Sequence, residues 1–294
     1  MKNVIDLIEE GKLKSFFRTR DKISFENAIT HVTQHASGTE LLFLERSDYL
    51  YMLLLIKETC KKFHLDVLSF VLMLNHLHLL LRLHSANLTE AMKNLFERYA
   101  MYFNNKYQRR GHVFSGAFRS SLCFDESYLL AASLYIHFNP VKAHIVLDAV
   151  NYRWSSAALF LNDIEKETFV DYKYILSALN PNIAVARRQF KELLENLKVS
   201  KIDNTMPQHK VIRNIADGLK ERLDLKHIGE NTILEGSNLE TKMGGLKSQK
   251  RLRKPQDKEA RRFLIRQLKA RGFGILEIAQ KLNLSRQSIH SAMK

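Results

Sequence analysis

The chain has 294 residues, 45% of them aliphatic or aromatic, with 46 Lys and Arg against 31 Asp and Glu for a formal net charge of +15. That length and apolar share support a core domain with a smaller one beside it. The lack of a long apolar run, and the charges spread over Met1 to Arg20, argue against a membrane span or secretory leader and for a cytoplasmic protein. Cys60 and Cys123 are too few for a disulfide scaffold and lack metal-binding spacing. The charge is uneven. Ser200 to Lys294 carries 21 Lys and Arg against 10 Asp and Glu, which is +11 of the +15. A polyanion with a phosphate backbone is the expected partner of that tail, the alternative being a solvated basic surface with no partner.

In chain order, residues 1–27 read as a charged helical lead-in. Ala28 to Gln34 alternates in strand fashion and ends in the turn-forming Ala36-Ser37-Gly38. Ser47, followed by Asp48, is an expected N-cap for a helix that reaches about Phe63, with Leu50, Leu53, Leu54, Ile56 and Cys60 on its apolar side. Leu65 to Leu74 and His76 to Leu83 read as two strands joined tightly at Asn75. Asn87-Leu88-Thr89-Glu90 opens a long helix that ends between Lys106 and Arg110, Arg119 to Phe124 is a short strand, and Asp125 caps a helix from Glu126 to about Asn139. Pro140 is expected to stop that helix, because the residue before a proline is pushed out of the helical region. Strand, helix, strand, strand, helix, strand is the order of an α+β ferredoxin-like antiparallel sheet with covering helices.

Two constellations carry chemistry. In a strand the side chains of His76 and His78 point the same way while Leu77 and Leu79 point the other, and two imidazoles at such spacing can share a divalent cation. Half-buried histidines bonded to backbone are the alternative. On the helix before Pro140, Tyr135 and Asn139 are four residues apart and share a face. A phenol becomes a useful nucleophile toward phosphate when a metal ion activates the target, and a carboxamide oxygen can join two imidazoles as a ligand. A core tyrosine followed by a helix-stop asparagine is the plainer reading. His112 and His137 fall outside this set, His137 because it points to a different face of the helix. The rings of Tyr99, Tyr102, Phe103, Tyr107 and Trp154 recur at helical spacing, which suits core more than base stacking. Lys106, Arg109, Arg110 and Arg119 are better candidates for backbone phosphate.

Met73-Leu74-Asn75-His76-Leu77-His78-Leu79-Leu80-Leu81 and Tyr135-Ile136-His137-Phe138-Asn139-Pro140-Val141-Lys142-Ala143 together resemble the single-tyrosine HUH transposases, in particular the REP-associated tyrosine transposase branch. Thr30-His31-Val32-Thr33-Gln34, Tyr102 to Tyr107, Arg110 to Gly116, Arg153-Trp154-Ser155-Ser156 and Arg187-Arg188-Gln189-Phe190 support the resemblance, which covers residues 28–198. It implies an HUH endonuclease core in which His76 and His78 are metal ligands for Mg²⁺ or Mn²⁺, Asn139 supports the metal, and Tyr135 is the nucleophile. Lys142 would lie among the DNA-binding residues. Leu74 stands where a proline is common before the Asn-His pair, and Ala117 where an arginine is common after Gly116. The first shifts only the turn and the second weakens the grip on one phosphate.

After a partly helical connector over 199–250, with a flexible linker at 229–245, a small all-α module over 251–294 is expected, with helices at 259–270, 275–282 and 285–293. Leu276 to Ile289 resembles a helix-turn-helix, with Asn283 at the turn, Ser285 capping the second helix, and Arg286, Gln287 and Ser288 facing DNA together with His290. The expected activity is metal-dependent cleavage and transfer of single-stranded or hairpin DNA through a 5′-phosphotyrosine by a monomer or homodimer, with duplex DNA as a partner of the tail. A non-catalytic DNA-binding regulator is the alternative. A structural zinc site at His76 and His78 is a third reading, weakened by the lack of cysteine partners.

Overall fold

The computed structural model describes residues 24, 26–123, 126–163, 167–199, 208–222, 261–262, 265 and 274–293. Four strands form its centre: β1 (Ile29–His35), β2 (Leu65–Met73), β3 (His76–Leu83) and β4 (Arg119–Leu122). They pair in the order β2-β3-β1-β4, every neighbour antiparallel. This is the ferredoxin-like α+β sheet that the element order implies. Between and after the strands lie α1 (Arg46–Phe63), α2 (Leu88–Lys106) and α3 (Glu126–Lys142), then a 3₁₀ turn at Ala149–Asn151. Further along come α4 (Ala157–Leu161), α5 (Tyr172–Leu179), α6 (Ile183–Val199), α7 (Gln208–Arg222), α8 (Ile275–Leu282) and α9 (Arg286–Met293).

The central strands are buried on both faces, so β2 and β3 read as continuous apolar runs and not as strict alternation. α1 packs on β2 and on α2, while α3 packs on β2 and β3 and receives α7 on its other flank. The corner between α1 and α2 is held by one carboxylate. Asp48 is fully buried and accepts hydrogen bonds from the Leu44 and Glu45 backbone, from Tyr107 and Tyr102, and from Lys106 at 2.6 Å. Burial pushes the Asp48 pKa up, but the bonds from Lys106, Tyr107 and the two amides outweigh it and hold the carboxyl below its ordinary value. Asp48 also moves the helix start. α1 begins at Arg46 with Glu45 as its cap, because the Asp48 side chain reaches back to the Glu45 amide, whereas Ser47 bonds only to the Glu45 side chain and to Lys106.

Pro140 corrects a second expectation. α3 continues through it to Lys142. In the last turn a proline removes one N–H and crowds one carbonyl, a smaller loss than in mid-helix, and the Pro140 carbonyl still accepts from Ile145 at 2.9 Å. β4 ends at Leu122, short of the expected Phe124, which lies with Asp125 outside the described residues. So do most of the lead-in over 1–27, the linker over 229–245 and all of 259–270 except Arg261, Arg262 and Ile265. In the tail, Asn283 closes α8 in the left-handed region at φ +51, and the Ser285 hydroxyl accepts from the Ser288 amide at 3.1 Å to open α9. Among the described residues no helix is long and apolar enough to cross a membrane.

Candidate active site

Register assembles the site. Thr33 sits opposite His78, His35 opposite His76, and Arg119 opposite Thr33. Directly opposed residues share a face, so one side of the sheet presents His31, Thr33 and His35 from β1, His76 and His78 from β3, and Arg119 from β4. The rings are close. His76 and His78 have centroids 5.0 Å apart at 88°, His35 stacks on His76 at 5.0 Å, and His31 stacks on His78 at 5.1 Å.

Each of the two candidate ligands has one nitrogen tied and one left over. His76 Nδ1 donates to Asn75 Oδ1 at 2.7 Å, which leaves Nε2 as a lone pair. His78 Nδ1 lies 3.0 Å from His31 Nε2 and 3.1 Å from the Thr33 hydroxyl, while its Nε2 is buried with no hydrogen-bond partner among the described residues. Burial holds the site neutral: it lowers His31 to about 3 and His76 to about 4, the latter with help from His35. His78 lies well below 6.5, through burial and the charges of His31, His76, His35 and Lys142. A neutral imidazole with an orphaned buried nitrogen is what a metal-ligating histidine presents before its ion arrives. Among the described residues no three His, Cys, Asp or Glu side chains are arranged to hold a metal. A further donor would therefore come from an amide, such as that of Asn139, or from the bound phosphate.

α3 lies over this face. Tyr135 is 5% exposed, its ring 5.8 Å from that of His78 and 6.4 Å from that of His31. Burial pushes its phenol up to about 12. One turn on, Asn139 is buried and donates from Nδ2 to the Tyr135 carbonyl at 2.8 Å, which fixes its carboxamide. Lys142 Nζ sits 5.6 Å from the Tyr135 ring centroid. Arg119 is exposed on the edge strand, close enough to His35 to lower its pKa after burial has done so first.

The fold thus brings His76, His78 and Tyr135 together, with Lys142 beside Tyr135, Asn139 one turn on along α3 and Arg119 on the edge strand near His35. Lys106 and Arg109 are engaged elsewhere, Lys106 on Asp48, Glu45 and Ser47 and Arg109 on Glu40 at 2.5 Å. Arg110 is exposed in the loop after α2, and Arg286, Gln287 and Ser288 are exposed on the first turn of α9. Trp154 stacks on Tyr49 at 4.3 Å, and Tyr99 and Phe103 are fully buried, so these rings serve the core. His137 is a core residue held by Ser156 at 2.8 Å and packed against Phe160. The sequence motifs do not single out His31, Thr33 and His35 as site residues, although alternation along β1 already puts the three on one face. Nor do they mark Gln208, the first residue of α7, whose amide lies 3.3 Å from His31 Nδ1 and 3.2 Å from the Thr33 hydroxyl; no local pattern points to that residue.

His76, His78 and Tyr135 thus lie close together against one face of a ferredoxin-like sheet. Residues 40–139, less than half of the chain, match the model of the IS200-like transposase family, a stretch that holds His76, His78, Tyr135 and Asn139. No curated protein matches the chain significantly. Among solved structures, a REP-associated tyrosine transposase bound to a REP hairpin is similar at 14% identity and a TM-score of 0.43, covering 52% of this chain and 92% of that one.

Proposed function

We propose that the chain is a metal-dependent single-stranded DNA endonuclease and strand transferase that acts at hairpin-associated sites in the cytoplasm, as a monomer or homodimer. Residues 28–198 are its catalytic domain, residues 1–27 and 199–250 a lead-in and a connector, and residues 251–294 a helix-turn-helix module for duplex DNA. In this reading the Tyr135 hydroxyl oxygen attacks the scissile phosphorus. The bond to the 3′ oxygen breaks as the tyrosyl–phosphorus bond forms, and the proton lost by the phenol goes to the departing 3′ hydroxyl. Attack by another 3′ hydroxyl reverses the step, so rejoining consumes no nucleotide cofactor. A Mg²⁺ or Mn²⁺ ion held by His76 and His78, with Asn139 beside them, would polarise the phosphate and offset its charge.

The chain's own residues supply the rest. Burial holds the Tyr135 phenol in its neutral form, so the phenolate needs a nearby cation, and Lys142 is the side chain beside it. Arg119 and Arg110, with Lys106 and Arg109 where their ion pairs release them, would steady the DNA backbone, and Arg286, Gln287 and Ser288 would contact duplex DNA. The observation that carries this reading is the convergence of His76, His78 and Tyr135 on one sheet face, with the His78 Nε2 left unpartnered among the described residues. Incubation with labelled hairpin-bearing single strands and Mn²⁺, followed by a denaturing gel, should show a protein–DNA adduct that Tyr135→Phe removes. The competing reading, a DNA-binding regulator without catalysis, draws on the burial of Tyr135. It takes the lead if the wild-type protein shifts the DNA yet forms no adduct with Mg²⁺ or Mn²⁺.

A further inference from the structure

His78 can hold a cation through Nε2 only if its hydrogen sits on Nδ1, and the groups around Nδ1 decide where that hydrogen goes. They form a short relay. His78 Nδ1 meets His31 Nε2 at 3.0 Å and Thr33 Oγ1 at 3.1 Å, and the terminal amide of Gln208 meets the far nitrogen of His31 at 3.3 Å and the same Thr33 hydroxyl at 3.2 Å. With the Gln208 nitrogen inward, as the structure has it, it donates to His31 Nδ1 and to the Thr33 hydroxyl, so His31 must donate from Nε2 to His78 Nδ1. His78 then carries its hydrogen on Nε2, a buried atom with no acceptor among the described residues. The Thr33 hydroxyl is also left to compete for a His78 nitrogen that His31 already occupies. With the amide turned half a rotation, Oε1 accepts from both His31 Nδ1 and Thr33. His31 Nε2 then accepts from His78 Nδ1, and His78 Nε2 becomes a lone pair facing the site. The second arrangement satisfies every member except that one lone pair. Amide orientation is assigned from such networks, since oxygen and nitrogen are alike in size.

From this juxtaposition we propose that Gln208 is a positioning residue: through His31 it sets the tautomer of His78, and with its oxygen inward it makes the histidine competent to bind a divalent cation. The proposal rests on the reading of His76 and His78 as metal ligands and adds to it the segment that completes them. Gln208 reaches the sheet because α7 packs along α3, the helix that carries Tyr135. The residues beyond the matched family segment thus take part in building the site, and a displaced α7 would leave His31 and His78 without their determinant. Partners one shell out from a metal commonly change affinity by about ten- to a hundredfold when they are removed.

The test uses the full-length protein without DNA and two readouts. One is Mn²⁺ affinity from the electron paramagnetic resonance of the free ion. The other is the histidine ¹⁵N–¹H spectrum of the metal-free protein, which shows which nitrogen of His78 bears the hydrogen. Gln208→Glu can only accept, so it should keep hydrogen on His78 Nδ1 and bind Mn²⁺ at least as well as wild type. Gln208→Lys can only donate, so it should move the hydrogen to Nε2 and weaken Mn²⁺ about ten- to a hundredfold. Gln208→Leu removes both functions and serves if the lysine variant does not fold; it should mix the tautomers and fall between the two. Equal affinities and one His78 tautomer across the folded variants overturn the role of Gln208 and leave the metal reading standing. Failure of wild type to bind Mn²⁺ more tightly than His78→Ala overturns the metal reading itself.

Discussion

Two buried histidines of this protein look alike by themselves and differ in everything around them. His78 and His137 are both fully enclosed, both have depressed pKa values, and each leaves one ring nitrogen without a hydrogen-bond partner among the described residues. His137 lies between Phe160 and Phe190 with Ser156 on its other nitrogen, so its described neighbours offer no donors to complete a coordination shell. His78 has His76, His31 and Tyr135 around it and a polar relay behind it. An unsatisfied buried nitrogen therefore marks a functional site only where other donors and a reactive group converge on it. Otherwise it is a cost that the packing absorbs.

Substitutions at the two histidines should separate along that line. The largest expected effect is at the site: Tyr135→Phe keeps the ring and the packing and should lower cleavage on the order of 10⁴-fold or more while DNA binding persists, read as loss of the covalent adduct. His78→Ala or His76→Ala should likewise abolish cleavage and Mn²⁺ binding. His137→Asn should leave cleavage at the wild-type level and instead destabilise the fold by about 1–3 kcal/mol, through poorer packing on Phe160 and the loss of one of the hydrogen bonds of Ser156. Cleavage lost by His137→Asn in a folded protein would break the contrast.

The basic residues give a second contrast, with smaller effects. Lys106 is paired with the buried Asp48, whereas Lys142 lies over Tyr135. Lys106→Met takes the cation from Asp48, which keeps its bonds from Tyr102, Tyr107 and two backbone amides, and should cost about 1–3 kcal/mol in chemical denaturation. Lys142→Met should leave stability nearly intact and slow cleavage. Deleting the chain after about Ser248, which removes much of the charge excess of the tail, should flatten the salt dependence of DNA binding by about 0.7 to 0.9 in log-log slope for each phosphate that is no longer neutralised. An unchanged slope would mean that the tail binds something other than nucleic acid.

On pH the site and the core should behave alike. His31 and His137 have folded pKa values lowered to about 3, below the ordinary 6.5 of an unfolded chain. Between those values the unfolded state binds more protons, so their stabilisation is complete above 6.5 and is lost as pH falls toward about 3. Each can contribute up to about 1.4 kcal/mol per pH unit in that window. Thermal melts from pH 7 to 4.5 should therefore show falling stability, and a flat profile would mean that these rings are protonated or solvated in the folded protein.

Much of the site could be read from the chain because its central signals are local. His76 and His78 alternate with buried leucines, and that alone puts them on one face. Tyr135 and Asn139 share a helical face at four residues' spacing, and the element order specifies the sheet. Lys106 and Arg109 show what the same method leaves out, since a basic residue after a long helix reads alike whether or not a carboxylate faces it. Asp48 and Glu40 do face them, from 58 and 69 residues away.

Element type, strand phase and the spacing of Tyr135 and Asn139 follow from side-chain periodicity over a few residues, and those the amino-acid order alone decided. The choice of which β1 residues face His78 came from strand register, which pairs Thr33 with a residue 45 positions on. The start of α1 was decided by a carboxylate reaching back, and the survival of helix through Pro140 by its place in the last turn. Gln208 joined the relay only because α7 folds back on α3 and brings it to His31 across 177 positions. Contacts at such separations are set by how whole elements pack, and no window of sequence holds the information that joins their ends.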